Sequence, residues 1–223
     1  MAKIERTAAT AVGAALWVVA AVGYLVLEAV TAAGFSPAYS YTRDYISDLG
    51  VSASDLVHGR TIDSPRAYLM HIAFYLQGIM FFAGALLMVG VPDSRRARIF
   101  LGLVAANAVG NIVVGTEHSG KPHVTGAALA IVGGNTAILA GSAVVGTLGC
   151  HRWYRSTSKL VAGLGLLCLI MLQVNSATKR ANLLPDGAWE RGSVYSITIW
   201  QLLTAACLLT TRRIRRQADA FTE

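Results

Sequence analysis

The chain has 223 residues, of which 54% are hydrophobic and 14% are charged, and its formal net charge is +7. An average soluble domain is roughly one-quarter charged, so this composition excludes an ordinary soluble protein. Charged residues are missing mainly from six apolar runs of about 17 to 24 residues, each long enough to cross a bilayer core as a helix. The sequence therefore predicts a polytopic membrane protein without a separate soluble domain.

The predicted fold is an all-α bundle of six transmembrane helices that forms a single domain over residues 1–223. The first apolar run could also belong to a signal peptide, but it is longer than the usual hydrophobic region of about 7 to 15 residues, so we interpret it as a retained anchor. A long loop, residues 31–67, follows it. In chain order, the predicted spans cover residues 8–30, 68–91, 99–115, 125–148, 160–176 and 193–211.

The distribution of Lys and Arg predicts the orientation, because these residues are enriched on the cytoplasmic side. Twelve lie in the termini and in the connections after spans two and four, and seven lie in the long loop and in the connections after spans three and five. With the acidic residues included, the first side carries +8 and the second −1. We therefore expect both termini to be cytoplasmic and the long loop to face outward. The basic residues are interpreted as topology signals and contacts to anionic lipid, with no nucleic-acid binding.

The most distinctive stretch of the long loop is YSYTRDYISDLG, residues 39–50. As a short helix it would carry Tyr41, Tyr45 and Leu49 on one apolar-aromatic face. Gly50 is typical of a helix C-cap, where left-handed backbone geometry is needed. The stretch therefore predicts a short outer helix in the membrane interface, with its tyrosines at the level of the lipid headgroups.

Two carboxylates of this stretch, Asp44 and Asp48, would lie on the other face of that helix. They could face the mouth of the bundle as ligand-binding groups. Alternatively, they could pair with nearby arginines, as loop carboxylates commonly do. The arginines within reach on the predicted outer side are Arg43, Arg180 and Arg191.

Many other polar residues are predicted to lie at the same outer end. They are Glu28, His58, His71, Glu117, His118, His123, Lys179, Arg180, Glu190 and Arg191. We expect an outer-leaflet polar pocket that binds a lipid headgroup. Its predicted ligand-binding residues are Asp44, Asp48, His123, Glu190 and Arg191.

A zinc site is the alternative interpretation of the same residues. Imidazole and carboxylate groups are suitable zinc ligands, but the spacing of His118 and His123 matches no known zinc signature closely. The predicted ligands are Asp48, His118, His123 and Glu190. The primary expectation is that the chain has no cofactor, and the sequence identifies no catalytic residue.

Inside the spans, polarity comes from uncharged amides, which usually form hydrogen bonds between helices. They are Gln77, Asn107, Asn111, Asn135, Gln173, Asn175 and Gln201. The middle of the spans contains no Asp, Glu, Lys or Arg, which argues against a proton-coupled carrier. Span four carries a ridge of small residues, from Gly126 to Gly141, that predicts close helix packing inside the bundle or, as an alternative, in a homodimer.

Three stretches carry a resemblance to a known family: YISDLG at Tyr45–Gly50, His123 followed by Gly126 and Ala127, and GAWERGSVY at Gly187–Tyr195. In these stretches and in its six-span layout, the chain resembles the bacterial and archaeal membrane proteins of domain of unknown function 998. The ISDLG piece is similar, more distantly, to an ISD-x-G element of Frag/DRAM/Sfk membrane proteins.

This resemblance implies a six-span membrane fold but no particular activity. The more distant similarity to Frag/DRAM/Sfk proteins implies a role in membrane-lipid handling. Two positions depart from the family pattern: Arg43 stands in place of an Asn-like residue, and Glu117-His118 replaces a Phe-Pro-type pair. The leading hypothesis is a lipid-interacting or accessory membrane protein. The alternatives are a metal-dependent membrane-embedded hydrolase and a small structural subunit of a larger membrane complex, with a partner protein or a second copy.

Overall fold

The computed structural model of the chain describes residues 2–52, 55–57, 60–145, 148 and 151–220. Within this part of the chain, six helices are long and apolar enough to span a membrane, which confirms the predicted all-α polytopic bundle. They are α1 (Ala2–Ala32), α2 (Ala67–Val89), α3 (Arg95–Thr116), α4 (Gly120–Gly141), α5 (Arg152–Thr178) and α6 (Asp186–Ala220).

Some helix ends differ from the ends of the apolar runs. The helix α4 ends at Gly141, although the predicted span continues to residue 148, where Val145 and Leu148 are buried in the core without extending the helix. Conversely, α5 begins eight residues before predicted residue 160, and α6 begins seven residues before predicted residue 193. Hydropathy indicates which residues avoid water, whereas the backbone hydrogen bonds decide where a helix begins and ends.

The long loop contains a four-residue 3₁₀ helix, Ser47–Gly50, and an antiparallel hairpin of β1 (Asp55–Val57) and β2 (Arg60–Ile62). The prediction of a short helix is confirmed only as this single turn. Ile46 and Leu49 are buried against α1 and α2, and the position of the segment in a membrane interface stays a prediction. The prediction for Gly50 was wrong: the helix ends where Val51 becomes extended, and Gly50 keeps a negative φ. His58 lies outside the described residues.

Five of the helices form a ring. The helices α1, α2, α3, α4 and α6 pack against one another in that order, and α6 closes the ring on α1. The helix α5 packs outside the ring against α4 and α6. Its outer face is apolar and exposed, as a lipid-facing surface requires, and carries Leu160, Leu164, Leu167, Ile170 and Val174.

At one end, the interior of the ring is filled by large aromatic side chains. The rings of Trp17 and Phe81 are 5.1 Å apart, and those of Trp17 and Trp200 are also 5.1 Å apart. Phe100 packs edge-on against Trp200. Each of these residues is fully buried, so this aromatic layer closes the centre of the bundle at that level.

The other end of the ring carries the long loop and the α3–α4 and α5–α6 connections; we call it the loop end. Residues 39–50, the loop segment, meet α1, α2 and α6 there. His118 of the α3–α4 connection stacks on His71 of α2. The predicted meeting of these connections at one end is therefore confirmed, and the outward orientation of this end stays a prediction.

The amides inside the spans link the helices as predicted. Asn107 donates to the carbonyl of Ala130 at 2.6 Å, and Gln77 donates to Gln201 at 2.7 Å. Asn135 joins α4 to α6, and Asn175 joins α5 to α6. Two amides differ: the side chain of Gln173 is exposed on α5, and Asn111 donates to Asn107 of its own helix. These bonds satisfy polar groups that would otherwise be costly in hydrocarbon.

The small-residue ridge of α4 packs inside the bundle, as predicted. A Cβ atom on Gly110 of α3 would overlap the backbone of Gly126 and Ala130. On the other side of the ridge, a Cβ atom on Gly134 would overlap Ile197 of α6. Glycine is therefore needed at Gly110 because two helix backbones meet there.

We predict that Gly110→Ala destabilises the bundle by about 1–3 kcal/mol, the usual cost of overpacking, because backbone atoms must move to admit the methyl group. Gly102→Ala is the matched control, since it lies on the same helix with open space around its Cβ position. Unfolding in detergent, followed by circular dichroism, compares the two variants. Equal stability of both would contradict the close approach of α3 and α4.

Candidate functional site

The loop segment is shaped by its own carboxylates. Asp44 accepts the backbone N–H of Ser40 at 2.8 Å, and Asp48 accepts that of Tyr45 at 3.1 Å. Only 6% of Asp44 and 2% of Asp48 are exposed. Each carboxylate therefore satisfies buried backbone of the segment, a role that the sequence did not reveal.

The segment lies directly on the first turn of α6. A Cβ atom on Gly187 would overlap the carbonyl of Asp44, so the contact requires glycine. The backbone N–H of Ala188 donates to Thr42 at 2.9 Å, and the Tyr45 hydroxyl donates to Asp186 at 2.7 Å. The GAWERGSVY stretch is thus the surface on which the loop segment packs.

A buried ion pair joins this contact to α1. The guanidinium of Arg191 lies 3.2 Å from Glu28, and both side chains are almost fully buried. The same guanidinium donates to the carbonyls of Tyr41 and Asp44 at 2.7 and 2.8 Å. Arg191 is therefore occupied by α1 and the loop segment.

Three tyrosines surround this ion pair. The guanidinium carbon lies 5.2 Å from the ring centre of Tyr39 and 4.9 Å from that of Tyr41, distances at which a cation is attracted to an aromatic ring. Arg191 also donates to the Tyr39 hydroxyl, and Tyr195 donates to Glu28 at 2.8 Å. Burial raises the pKa of Tyr39 despite the opposing effect of Arg191, so its hydroxyl stays protonated.

Glu190 points away from this ion pair. One of its oxygens, Oε2, accepts the backbone N–H of Ile46. Asp48 and Glu190 therefore bind the consecutive amides of Tyr45 and Ile46, which confirms their predicted proximity. The second oxygen of Glu190, Oε1, makes no hydrogen bond with the described residues, and Glu190 lines a cavity.

This loop-end cavity has a volume of about 50 Å³, roughly three to five times the space that one water molecule requires. It lies inside the ring of five helices. Its partly exposed lining residues are Ser47, His123, Ala127, Ala130, Glu190 and Val194; we call Ser47 and His123, which belong to the loop segment and to the start of α4, its rim. Its polar lining is concentrated on α2, α3, α4 and α6. The polar lining residues are Tyr24, Ser47, Gln77, Asn107, Asn111, His123, Glu190 and Thr198.

Two buried polar atoms of the lining have no partner. The hydroxyl of Tyr24 and the side-chain oxygen of Gln77 make no hydrogen bond within the described structure. Only 1% of Tyr24 and 5% of Gln77 are exposed. An unsatisfied buried polar group costs about 1–3 kcal/mol, so these atoms indicate that the cavity receives water or a polar ligand.

The histidines fall into two groups. His71 and His118 are stacked, with ring centres 4.3 Å apart, and His71 Nε2 lies 2.8 Å from the carbonyl oxygen of Gly50. His123 instead donates from Nδ1 to the carbonyl of Glu117 at 2.7 Å, because a carbonyl can only accept. In this tautomer the other ring nitrogen, Nε2, is an acceptor, and His123 lines the cavity.

Asp48, His118, His123 and Glu190 do not form an obvious metal site. Among the described residues, no three His, Cys, Asp or Glu side chains are arranged to hold a metal ion. His118 packs against His71, while Asp48 accepts backbone N–H of the loop segment. The zinc alternative therefore has no assembled set of ligands to support it.

The family described as "Protein of unknown function (DUF998)" matches residues 12–208 of the chain. The chain belongs to this family. No curated protein and no solved structure matches it significantly. The DUF998 match confirms the family resemblance, whereas the similarity to Frag/DRAM/Sfk proteins stays a prediction.

In this DUF998 protein, the three stretches that carry the resemblance meet around the same cavity. Ile46 and Ser47 of YISDLG, His123 and Ala127 of the second stretch, and Glu190 of GAWERGSVY all line it. The stretches are far apart in the chain and are brought together only by the fold. The loop-end cavity is therefore the best candidate for a functional site.

Three residues that contribute to this site were not assigned to it from the sequence: Glu28, Tyr24 and Gln77. Glu28 was placed at the loop end but not recognised as the partner of Arg191. An acid within an apolar span needs a partner, and that signal could have identified the pair. Tyr24 and Gln77 gave no comparable signal, because only their missing hydrogen bonds distinguish them.

We predict that Arg191→Gln destabilises the protein by about 3–5 kcal/mol, because it leaves Glu28 buried without a partner. Glu28→Gln should have a similar effect, and the double variant should lose less than the sum of the two. Denaturant titration in detergent measures all three. Arg180→Gln, an exposed arginine at the same end, is the control, and an equal loss there would contradict this assignment.

The stacked histidines predict a pH effect on the α3–α4 connection. Partial burial lowers the pKa of His118, with further lowering by His71 and His123 and an opposing effect of Glu117. The folded protein then binds fewer protons than the unfolded chain, whose histidine pKa is about 6.5. The stabilisation is thus complete above about pH 6.5 and is lost as the pH falls through the folded pKa.

We therefore expect faster amide exchange in residues 116–120 at pH 5 than at pH 7, after correction for intrinsic rates. His118→Phe keeps an aromatic ring but cannot take up a proton, so it should remove this difference. His151→Phe, at the start of α5, should leave it unchanged. Persistence of the difference in His118→Phe would exclude His118 as its origin.

Proposed function

We propose that this DUF998 protein binds the polar headgroup of a membrane lipid in the loop-end cavity and acts as a lipid-interacting or accessory membrane protein. The observation that carries the proposal is a polar cavity within an apolar six-helix bundle. Polar groups are costly in the hydrocarbon region unless they are satisfied. The hydroxyl of Tyr24 and the free oxygen of Glu190 would be satisfied by a bound headgroup.

The position of the cavity supports a ligand that enters from the loop end. Its rim residues, Ser47 and His123, belong to the loop segment and to the first turn of α4. The aromatic layer closes the opposite side, one to two turns further along the helices. We infer from the Lys and Arg distribution that the loop end faces outward from a prokaryotic inner membrane, so the ligand would come from the outer leaflet.

The two alternative functions, a metal-dependent hydrolase and a structural subunit, require different structural features. A metal-dependent hydrolase requires a set of metal ligands, and the described residues offer none. A structural subunit requires a partner in the membrane and has no need of a polar cavity. Headgroup binding uses the cavity directly, so it is the function that these observations support best.

We predict that Ala127→Phe removes bound lipid, because Ala127 lines the cavity and a phenyl ring would fill it. Ala128→Phe is the matched control, since the adjacent side chain is exposed on the outside of α4. Native mass spectrometry of the proteins, purified in mild detergent, counts the lipids that stay bound. We expect Ala127→Phe to retain at most about one-third of the wild-type amount.

Size-exclusion profiles and unfolding temperatures should show that both variants are folded. Equal lipid retention by folded Ala127→Phe and Ala128→Phe would overturn the proposal. Loss of bound lipid in both variants would also contradict the proposal, because the lipid would then bind to the outside of α4 and not in the cavity.

A further inference from the structure

The groups that face the loop-end cavity are mainly hydrogen-bond acceptors. Glu190 offers Oε1, which has no partner among the described residues. His123 offers Nε2, because its Nδ1 already donates to Glu117. Gln77 offers an unpartnered side-chain oxygen, and the Tyr24 hydroxyl can either accept or donate. A ligand that satisfies this set must bring several donors.

The charge of the lining favours the same kind of ligand. Among the described residues, Glu190 is the only Asp or Glu that lines the cavity, and no Lys or Arg lines it. Arg191 is next to Glu190 in the sequence of α6, but Glu28 and the carbonyls of the loop segment occupy it. A buried phosphate would find no cation in the cavity, and a buried charge without a partner is costly.

The apolar lining and the small volume of the cavity restrict the class of ligand further. The aromatic residues Tyr24 and Phe74 line the cavity, and aromatic rings attract cations. The volume of about 50 Å³ admits only a few heavy atoms, given that one water requires about 10–15 Å³. A primary ammonium has three N–H donors and is compact, whereas a trimethylammonium group has no N–H donor and is bulkier.

We propose that the loop-end cavity binds a primary ammonium group, with Glu190, ionised when the ammonium is bound, as its counter-charge and His123, Gln77 and Tyr24 as further hydrogen-bond partners. Resting on the proposed headgroup binding, this inference names its chemical class: the amine of an aminolipid such as a phosphatidylethanolamine. A soluble amine would share the same chemistry, and the experiment separates the two sources.

The test compares three lipids with identical acyl chains by native mass spectrometry: phosphatidylethanolamine, phosphatidylcholine and phosphatidylglycerol. The full-length protein should bind phosphatidylethanolamine about tenfold more tightly than the other two, as expected for one charge-assisted hydrogen bond. Glu190→Gln should abolish this preference, while its amide oxygen can still accept the Ile46 N–H. Glu117→Gln, an exposed acid outside the cavity, should keep it.

Tyr24→Phe is a second test variant, which keeps the proposal testable if Glu190→Gln fails to fold. Its hydroxyl has no partner in the described structure, so its removal should preserve stability and weaken phosphatidylethanolamine binding a few-fold. If Glu190→Gln or Tyr24→Phe kept the full preference for phosphatidylethanolamine, the contact between that residue and the ammonium group would be contradicted. A full preference in folded Glu190→Gln overturns the proposal.

Two further outcomes separate this inference from the headgroup proposal. Equal binding of the three lipids, with loss of all three in Ala127→Phe, overturns the ammonium assignment and leaves headgroup binding intact. Binding of free ethanolamine as tight as that of phosphatidylethanolamine supports the ammonium site but identifies a soluble amine as its ligand, which overturns the headgroup proposal. Lipid binding unchanged in Ala127→Phe, without ethanolamine binding, overturns both.

Discussion

The pairing of Arg191 with Glu28 is the interaction on which the loop end depends. A guanidinium at this depth must be paired and hydrogen-bonded, because an isolated charge would be too costly. Glu28 supplies the charge from α1, while the carbonyls of Tyr41 and Asp44 supply acceptors from the loop segment. The two terminal nitrogens of Arg191 find these partners only when all three parts are in place, whereas its Nε makes no hydrogen bond with the described residues. One side chain therefore fixes the loop segment to two helices.

The ion pair also determines which residues of α6 reach the cavity. Successive residues on a helix are separated by about 100°, so Glu190 faces a different direction from Arg191. Positions 190, 194, 197 and 198 follow the spacing of one helix face, and all four line the cavity. Arg191 and Tyr195 form the neighbouring stripe, which contacts Glu28. The short sequence ERGSVYSIT thus has one face that packs against Glu28 and a neighbouring face that lines the cavity.

The sequence predicted the six helices because each span must satisfy its own backbone in hydrocarbon, which long apolar runs indicate directly. It did not predict the end of α4 at Gly141 or the single-turn helix of the loop segment, since these depend on contacts between distant residues. The convergence of Asp48, His123 and Glu190 followed from topology alone. The direction in which each side chain points did not, and so the roles of Asp44 and Asp48 as backbone acceptors required the fold.

The aromatic layer decides what kind of function the polar interior can support. A transport path would continue from the cavity to the other side of the bundle. Here the rings of Trp17, Phe81 and Trp200 meet directly beyond it and are fully buried. On that side the cavity is therefore followed by a layer of buried aromatic rings. With Arg191 occupied by its structural partners and Glu190 left with a free oxygen, the two residues are the physical basis on which we propose a ligand that donates hydrogen bonds and carries positive charge.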